Sequence, residues 1–437
     1  MPTLSPPFAS PPSGPGAPAR PPVLLTEPYY NGTLAAVRAF GRAGIAVTVA
    51  GPGRYALAAR SRYAARRIEA PSADDADAYM EWLVDFGRRA PGHVLFGTSD
   101  ASVWLLARHA AALAPYFRVG GVPAFEALRA LLDKEALAAA CARVGLATPP
   151  SRFPRDVAAL ADTARALGFP LLFKPRTQVL RASHVKGLLV PAADQLDRAW
   201  ADYAAQNRYH PRLLEDVPGA TLPMLQAYLP QAAEGIYSIA GYVDAHGRVA
   251  ALGARKVLQQ PRRLGIGLCF EAAPLREELL TRLVALCQLV GYHGVFEVEF
   301  VETDGGPRLI DFNPRFYGQM AFDIARGLAL PTLAYEAALH GGAPGPAPAV
   351  HAPRGPVPDA YTHQALLTFI LRGGRLLGGL SRAEAARWRV WRRRHRGTLV
   401  DAVSAPDDRG PALVDALLRV RSVVRSPVAV HQLLAGD

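Results

Sequence analysis

The amino-acid sequence predicts a multidomain protein in which an α/β domain with a parallel sheet precedes an α+β region with antiparallel sheets. Three observations indicate this architecture. At 437 residues, the chain exceeds the size at which one hydrophobic core usually stops growing. Up to about residue 125, short apolar runs alternate with helical patterns, as they do in doubly wound sheets. Beyond that point, apolar runs are joined in pairs by short turns, which is typical of antiparallel hairpins.

The amino-terminal segment carries no structural pattern. Residues 1–22 hold nine prolines and no apolar run of the kind found in signal peptides, so we expect a disordered lead. No segment reaches the ~18 consecutive apolar residues that a membrane-spanning helix needs. The three cysteines are too few and too scattered for a disulfide framework or a metal cluster. We therefore expect a soluble cytoplasmic protein.

The net charge of +12 is carried almost entirely by arginine, since only four of the 49 basic residues are lysines. The abundance of Ala, Gly, Pro and Arg is typical of a GC-rich coding sequence, so the charge is either compositional or a preference for anionic partners. Both interpretations stay open. The four lysines all lie between residues 134 and 256, which indicates positions where a compact ammonium group is needed.

Residues 23–125 are predicted to form the α/β domain. Val23–Leu25 and Ala46–Ala50 have the pattern of buried strands, and Leu34–Arg42 between them has helical periodicity. The loop after the first strand reads "TEPYYNG". Because it lacks the GxGxxG pattern, a dinucleotide site is not expected.

Residues 126–340 are predicted to form a second domain with antiparallel sheets. In it, "FPLLFKPR" is a strand ending in a lysine, and "TLPMLQAYLP" is a strand that stops at a proline. Two further strands flank a turn at Asp244–Gly247 and form a meander. An amphipathic helix then leads into a hairpin, "FEVEFVETDGGPRLIDFNPR".

This hairpin places acidic residues on one face. Alternation puts Glu297 and Glu299 on the same side of the first strand, and it puts Leu309, Asp311 and Asn313 on one side of the second. If the turn is centred on Gly305, Glu299 lies opposite Asp311. Directly opposed like charges ~5 Å apart are destabilising unless a cation lies between them. Carboxylate and amide oxygens suit Mg²⁺, although a solvated acidic hairpin has the same pattern.

Four segments together resemble a known family. They are "LLDKEALAAACARVGLATPP", "FPLLFKP", "LQAYLP" and "FEVEF" followed by "GGPRLIDFNPR". Their order and spacing are similar to those of the ATP-grasp superfamily over residues 23–340, and most similar to the carboxylate–amine ligase branch that includes D-aspartate ligase. The resemblance implies a Rossmann-like pre-ATP-grasp domain at 23–125, then a two-subdomain ATP-grasp fold at 126–340 with ATP between two antiparallel sheets.

The resemblance also implies an activity and a set of site residues. The activity is an ATP-dependent ligation in which a small-molecule carboxylate becomes an acyl phosphate and is captured by an amine, with Mg²⁺ or Mn²⁺ as the metal. Two alternatives stay open: a nucleotide-binding sensor without turnover, and a phosphoryl transferase. The implied nucleotide contacts are Lys134, Lys174, Lys186, Gln226, Leu229 and Glu234, with backbone at Gln226 and Leu229 meeting adenine; the metal ligands are Glu299, Asp311 and Asn313, and the phosphoryl-neutralising residues are Arg315 and Lys256.

Two regions depart from a standard pattern. The loop after Lys174, "PRTQVLRASHVKGLLV", has one glycine where many family members have a glycine-rich flap, and we expect Lys186 and Arg181 to supply charge in place of amide donors. Residues 341–356 are predicted to be a linker and 357–437 a basic extension. For this extension, packing against the protein, contact with an anionic membrane surface and nucleic-acid binding stay open, but no RNA-binding motif is present and nucleic acid is not expected. A homodimer is expected from the family.

Overall fold

The first part of the structure is a five-stranded parallel sheet flanked by helices. The computed structural model describes residues 20–425 apart from 54, 120–122, 184, 234, 261–265, 341–346, 353–354 and 377–379, so most of the proline-rich lead and half of the linker lie outside the described residues. The strand order is β3-β2-β1-β4-β5, as expected for a doubly wound domain. The elements are β1 (Val23–Leu25), α1 (Asn31–Arg42), β2 (Val47–Gly51), β3 (Ala64–Glu69), α2 (Ala76–Arg89), β4 (His93–Phe96), α3 (Asp100–Arg108), α4 (Ala110–Leu113) and β5 (Phe117–Val119).

A four-stranded sheet follows, in the order β6-β9-β7-β8, and its strand pairs are antiparallel. Two helices lead into it, and three more pack around it. The elements are α5 (Phe125–Leu132), α6 (Lys134–Arg143), β6 (Ser151–Arg152), α7 (Leu160–Leu167), β7 (Leu171–Lys174), β8 (Leu188–Val190), α8 (Leu196–Gln206), α9 (Pro211–Asp216) and β9 (Met224–Ala227).

The third sheet has seven strands in the order β14-β13-β10-β11-β12-β15-β16. All of its pairs are antiparallel except β15 with β16, so the expected antiparallel sheets are confirmed. Its strands and helices are β10 (Ile236–Val243), β11 (Val249–Gln260), β12 (Ile266–Ala273), α10 (Glu277–Val290), β13 (Gly294–Thr303), β14 (Gly306–Asn313), α11 (Met320–Ala325), α12 (Leu330–His340), β15 (Ala360–Thr362), α13 (Gln364–Leu376), α14 (Arg382–Arg394), β16 (Leu399–Asp401) and α15 (Gly410–Arg425).

The large sheet is buried on both faces, and this arrangement decides where a polar site can lie. One face packs Phe296, Val298 and Phe300 against the leucines of α10. At one end of the other face, Tyr242 and Val295 join a core shared with the first sheet and with α11 and α12. Acidic and basic side chains therefore concentrate at the remaining end of that second face, which the small sheet overhangs.

The hairpin β13–β14 has the predicted pairing of Glu299 with Asp311, but for a different reason than expected. Thr303 pairs with Gly306 and Phe300 pairs with Leu309, so the turn is Asp304–Gly305 and is not centred on Gly305. A bulge between these pairs and the Glu299 pair inserts Ile310 and restores the register. The expectation that Leu309 shares the face of Asp311 was wrong, because the bulge turns Leu309 into the core, where it is 2% exposed.

The carboxyl-terminal extension is packed against the rest of the protein. Strands β15 and β16 extend the large sheet. Trp388 on α14 is buried beside α13 and β12, and the indole of Trp391 donates a hydrogen bond to Glu271 (2.6 Å). Neither ring is therefore presented for stacking on bases. No helix among the described residues is long and apolar enough to span a bilayer.

The segment before α15 fastens this extension to the first helix. Arg38 donates to Asp408 (2.9 Å) and to the carbonyl of Val403 (2.6 Å), and the ion pair is almost fully buried. The hydroxyl of Ser61 and the amide of Arg62 also donate to Asp408. One carboxylate thus satisfies three donors from the amino-terminal domain across sequence distances of 346 to 370 residues.

Asp408→Ala is expected to lower the free energy of unfolding by about 3–5 kcal/mol, because it leaves the buried Arg38 without its counter-ion. The neighbouring Asp407 is the matched control. It pairs with Arg42 on the surface, where both side chains are more than one-third exposed, so Asp407→Ala should cost only about 0–1 kcal/mol. Urea unfolding of both variants measures the difference, and equal losses would contradict the assignment of Asp408 as the fastening residue.

Candidate functional site

A cleft with about 1000 Å³ of open space lies between the small sheet and the exposed end of the large sheet. All four lysines of the chain line it, although they come from α6, β7, the loop before β8, and β11. Since surface lysines are absent elsewhere, their convergence here is the strongest sign of a functional site. The apolar part of the lining is Pro149, Leu172, Ala227, Leu229, Ala232, Ala233, Ile236, Val301 and Ile310.

The local fold fixes each lysine at an end or a defect of an element. Lys134 begins α6, which Asp133 caps through its side chain, and the Lys134 amide donates to the carbonyl of Arg176 (2.8 Å). Lys174 is the last residue of β7. Lys256 is followed by an irregularity in the pairing of β11 with β12 and is 5% exposed. Lys186 is exposed at the cleft.

Two acids face these lysines from the hairpin, and each is paired with one of them. Glu299 lies opposite Asp311. Lys256 Nζ is 2.6 Å from Glu299 Oε1, and Lys134 Nζ donates to Asp311 Oδ1. The bulge residue Ile310 adds its carbonyl oxygen at 3.4 Å from Lys134. The repulsion that two opposed carboxylates would suffer is therefore offset by two ammonium groups.

Beside these acids, a separate hydrogen-bonded chain runs toward the first sheet. Arg315 Nη2 donates to Asn313 Oδ1 (2.9 Å), and Asn313 Nδ2 donates to Glu297 Oε2 (2.7 Å). Gln319 donates to the other oxygen of Glu297 (2.9 Å). Arg315 Nε also donates to Asp100, at the start of α3. The amino-terminal domain thus closes one end of the site with a carboxylate.

Comparison with known sequences gives one partial likeness. No family model matches the chain. A formate-dependent phosphoribosylglycinamide formyltransferase of Bifidobacterium adolescentis is 28% identical over 204 residues. This match covers 44% of the chain, and the chain spans about half the length of that curated relative.

Comparison with solved structures covers most of the chain. The biotin carboxylase domain of the 2-oxoglutarate carboxylase of Hydrogenobacter thermophilus, a dimer solved with MgADP and bicarbonate, matches 72% of this chain and 69% of its own, with a TM-score of 0.58 and 16% identity. An L-amino acid ligase of Bacillus licheniformis matches 76% of this chain and 79% of its own, with a TM-score of 0.58 and 18% identity. The chain has the ATP-grasp fold. The expectation from the sequence motifs is confirmed at this level.

The ATP-grasp cleft holds most of the residues singled out from the sequence. Those that line it directly are Lys134, Lys174, Lys186, Gln226, Leu229, Lys256, Glu299 and Asp311. Asn313 and Arg315 lie beside it, joined to each other by a hydrogen bond. Glu234, the candidate for ribose, lies outside the described residues.

The strand β9 and the residues after it offer free backbone groups at Ala227 and Leu229. Gln226 pairs with Leu172 on β7. Because Tyr228 N, two residues further along, donates to Pro170 O, the Gln226–Leu172 pair is also a hydrogen-bonded pair of this ladder, and the backbone groups of Gln226 are used within the sheet. Toward β6, Ala227 N donates to Pro150 O, but proline has no N–H, so Pro150 donates no hydrogen bond to the Ala227 carbonyl. No described residue donates to the Ala227 carbonyl or accepts from the Leu229 amide. The expectation of a backbone role for Gln226 was wrong, because the ladder uses its groups and only its side chain faces the cleft.

The first half of the loop after Lys174 is buried and bonded to its surroundings, unlike an open, exposed flap. Residues 176, 177 and 179–181 are all less than 9% exposed. Arg181 donates to Asn207 (2.9 Å) and to the carbonyl of Ser183 (2.8 Å). The expectation that Arg181 reaches the phosphate region was wrong, because its guanidinium holds this loop to α8 and its neighbouring turn. Lys186 remains at the cleft.

The electrostatic environment of the cleft shifts the pKa values of three groups. Burial, with repulsion from Lys134 and Lys186, lowers the pKa of Lys174 from 10.5 to about 8. Burial raises the pKa of Asp311, but attraction by Lys134 and the other lysines outweighs it and brings the value to about 2. Burial, with repulsion from Glu299, raises the pKa of Glu297 to about 8. At neutral pH, Asp311 is therefore ionised and Lys174 is close to losing its proton.

The metal-binding capacity of the cleft is limited but suitable for a hard cation. No set of three His, Cys, Asp or Glu side chains converges as a metal site within the described part of the chain. The oxygens available are the carboxylates of Glu299 and Asp311 and the amide of Asn313, which suits Mg²⁺ because this ion keeps waters and takes further oxygens from phosphates. These residues therefore fit a metal ion that binds together with a nucleotide.

Three residues of the site were assigned no role from the sequence. Alternation placed Glu297 on the acidic face, but it did not reveal that this residue bonds to Asn313 and Gln319. Gln319 is the last residue of the segment "NPRFYGQ" and had no distinguishing signal. Asp100 is the first residue of α3, where a polar side chain is ordinarily explained by helix capping. Its neighbour Ser99 is the helix cap, which leaves Asp100 free for Arg315.

Lys174 is expected to titrate near pH 8 in the free protein, and Lys186→Ala should raise this midpoint because it removes a repelling charge. Reductive ¹³C-methylation and NMR can measure this directly, since the chain has only four lysines. Arg129→Ala is a control, because Arg129 pairs with Glu126 on the surface of α5. A Lys174 midpoint near 10.5, or one that ignores Lys186, would contradict the electrostatic account.

Proposed function

We propose that the protein is an ATP- and Mg²⁺-dependent ligase that joins a small-molecule carboxylate to an amine through an acyl phosphate. The observation that carries this proposal is the convergence of all four lysines with the opposed pair Glu299 and Asp311 in one cleft. Phosphoryl transfer needs positioned cations and a metal more than it needs a protein nucleophile. The ATP-grasp fold and the MgADP in one similar structure support the same reading.

Binding of MgATP exchanges the partners of the charged groups. In the free protein, Lys134 and Lys256 are paired with Asp311 and Glu299. With nucleotide, the two acids and Asn313 hold the metal, and the lysines turn to phosphate oxygens, for which a point charge is suited. If Glu297 is neutral, the acids of the site are Glu299, Asp311 and Asp100. Its five cations, the four lysines and Arg315, exceed these acids by two positive charges. This excess matches the net charge of MgATP, about −2.

The nucleobase is held by the apolar wall and by two backbone groups. The Ala227 carbonyl accepts a hydrogen bond from the 6-amino group of adenine, and the Leu229 amide donates a hydrogen bond to the adjacent ring nitrogen. Guanine would place a carbonyl against a carbonyl at this position, so the order of acceptor and donor selects adenine. The side chain of Gln226 lies between Lys174 and Ser151 and fixes the edge of the pocket.

The chemical steps follow from the arrangement of cations. A carboxylate oxygen of the substrate attacks the γ-phosphorus, ADP departs with the bonding electrons, and an acyl phosphate forms. An amine nitrogen then attacks the acyl carbon, phosphate departs, and the amine loses a proton. When bound, Mg²⁺ neutralises charge on the phosphate oxygens during transfer. Arg315 and Lys256 stabilise the transferring phosphoryl group from the protein side.

A nucleotide-binding sensor without turnover is the second candidate. The buried first half of the loop after Lys174 favours it, because a phosphate cover that cannot move slows chemistry more than binding. The complete set of Glu299, Asp311, Asn313 and Arg315 favours the ligase. We place the protein in the cytoplasm, where ATP and Mg²⁺ are available, and propose small-molecule carboxylates and amines as its substrates.

The decisive experiment is incubation with ATP, Mg²⁺, and pooled carboxylates plus amines, followed by measurement of ADP and phosphate. Release of both in equal amounts, dependent on both pools, supports ligation. Formation of ADP without phosphate supports phosphoryl transfer. Nucleotide binding without either product supports the sensor and removes the ligase proposal.

Asp311→Asn is expected to abolish turnover, because it removes a metal ligand and the partner of Lys134. The loss should exceed the ~10–100-fold that removal of an outer partner of a metal ligand costs. Asp304→Asn is the matched control, since Asp304 is an exposed carboxylate at the turn of the same hairpin. Steady-state ADP release measures both variants, and an Asp311→Asn enzyme as active as the control would refute the metal assignment.

Pro150→Ala is expected to weaken ADP binding about 2–10-fold, because the new N–H can donate to the Ala227 carbonyl and compete with adenine. Inorganic pyrophosphate, which lacks the base, should bind this variant as it binds the unmodified protein. Calorimetric titration with both ligands makes the comparison. Equal losses for both ligands would show a general distortion of the cleft and contradict the proposed base contact.

A further inference from the structure

Ser238 lies beneath the cleft, paired in the sheet with the lining residue Glu299, and has a buried hydroxyl without a partner. It occupies the middle of β10, is 2% exposed, and its Oγ makes no hydrogen bond with any described residue. A buried hydroxyl of this kind costs free energy unless something bonds to it. The other residues with an unpartnered buried side-chain atom in the described chain do not pair with Glu299 or Asp311: His93, Arg176 and His395.

The register of the sheet directs Ser238 toward the acid pair. Ser238 pairs directly with Glu299 on β13, and on its other side it pairs with Ala254 on β11. Directly paired residues point to the same face with Cβ atoms ~5 Å apart. The Ser238 hydroxyl is therefore on the cleft face, within reach of the Glu299 carboxylate, and the small side chain of Ala254 leaves it no competing partner.

An ion pair spans the strand that carries Ser238. Strand β10 lies between β11 and β13, so the contact from Lys256 on β11 to Glu299 on β13 crosses over β10. Lys256 itself pairs with Ile236, two residues from Ser238 on the same face. The closed ion pair thus holds the Glu299 oxygen at 2.6 Å from Lys256 and leaves the hydroxyl beneath it unbonded.

We propose that Ser238 is a positioning residue that donates to Glu299 when Lys256 leaves it. The inference rests on the proposed function, in which Lys256 turns to a phosphate and Glu299 to Mg²⁺. A carboxylate that loses its ammonium partner can rotate, and the Ser238 hydroxyl replaces that partner and holds the second oxygen while the first binds the metal. The unbonded hydroxyl of the free protein is the donor kept for the nucleotide-bound state.

Ser238→Ala tests this assignment because it separates stability from binding. In the free protein the variant loses a buried group that bonds nothing, so its thermal unfolding midpoint should stay unchanged or rise. Its affinity for MgADP should fall about tenfold, the size expected for a hydrogen bond to a charged group. Its affinity for ADP in the presence of EDTA should change less than about twofold, since Glu299 then holds no metal.

Ser238→Cys is the matched control for volume, because a thiol fills the same space but donates poorly. It should resemble Ser238→Ala in MgADP binding. An unchanged MgADP affinity in Ser238→Ala, an equal loss with and without magnesium, or a lowered unfolding midpoint of the free variant would each overturn the inference. If the unmodified protein binds ADP without any dependence on magnesium, the proposed function itself fails, so the two failures are distinguishable.

Discussion

The opposition of Glu299 and Asp311 across one hairpin is the constraint on which the site depends. Two carboxylates at this spacing would separate the strands in an apolar environment, so the fold must supply positive charge from elsewhere. It does so with Lys134 from the start of α6 and with Lys256 from β11, two strands away on the same face of the sheet. Elements more than a hundred residues apart are therefore held together by the same charges that a ligand would use.

The ionised acids of the cleft are paired with its own basic side chains, and this explains how a polar site can persist without ligand. Glu299 and Asp311 each have an ammonium partner, and Arg315 and Asp100 form the third pair. Burying unpaired charges would cost far more than the few kcal/mol that stabilise a typical domain. A ligand that carries both a cation and an anion can replace these pairs without leaving any charge alone, whereas a bare anion or a bare cation cannot.

Sequence reasoning reached the fold and the main features of the site, and it failed where contacts depend on defects or distant segments. The order of four motifs was sufficient for the ATP-grasp fold, because each motif belongs to one strand or helix end. The Glu299–Asp311 register was right although the turn was placed wrongly, since the bulge at Ile310 compensates for the error. Alternation cannot reveal such a bulge, and it therefore misplaced Leu309. The roles predicted for Gln226 and Arg181 were wrong because the partners of these residues, Leu172 and Asn207, are determined by tertiary contacts.

The bond between Arg38 and Asp408 has a consequence for biosynthesis. A nascent chain leaves the ribosome at about 5–20 residues per second, so a guanidinium on the first helix waits roughly 20–70 seconds for a carboxylate 370 positions later. During that interval the amino-terminal sheet can assemble, but the surface destined to receive the extension stays open to water. Completion of this buried ion pair is thus delayed until residue 408 has been synthesised, and before then the guanidinium has no counter-ion.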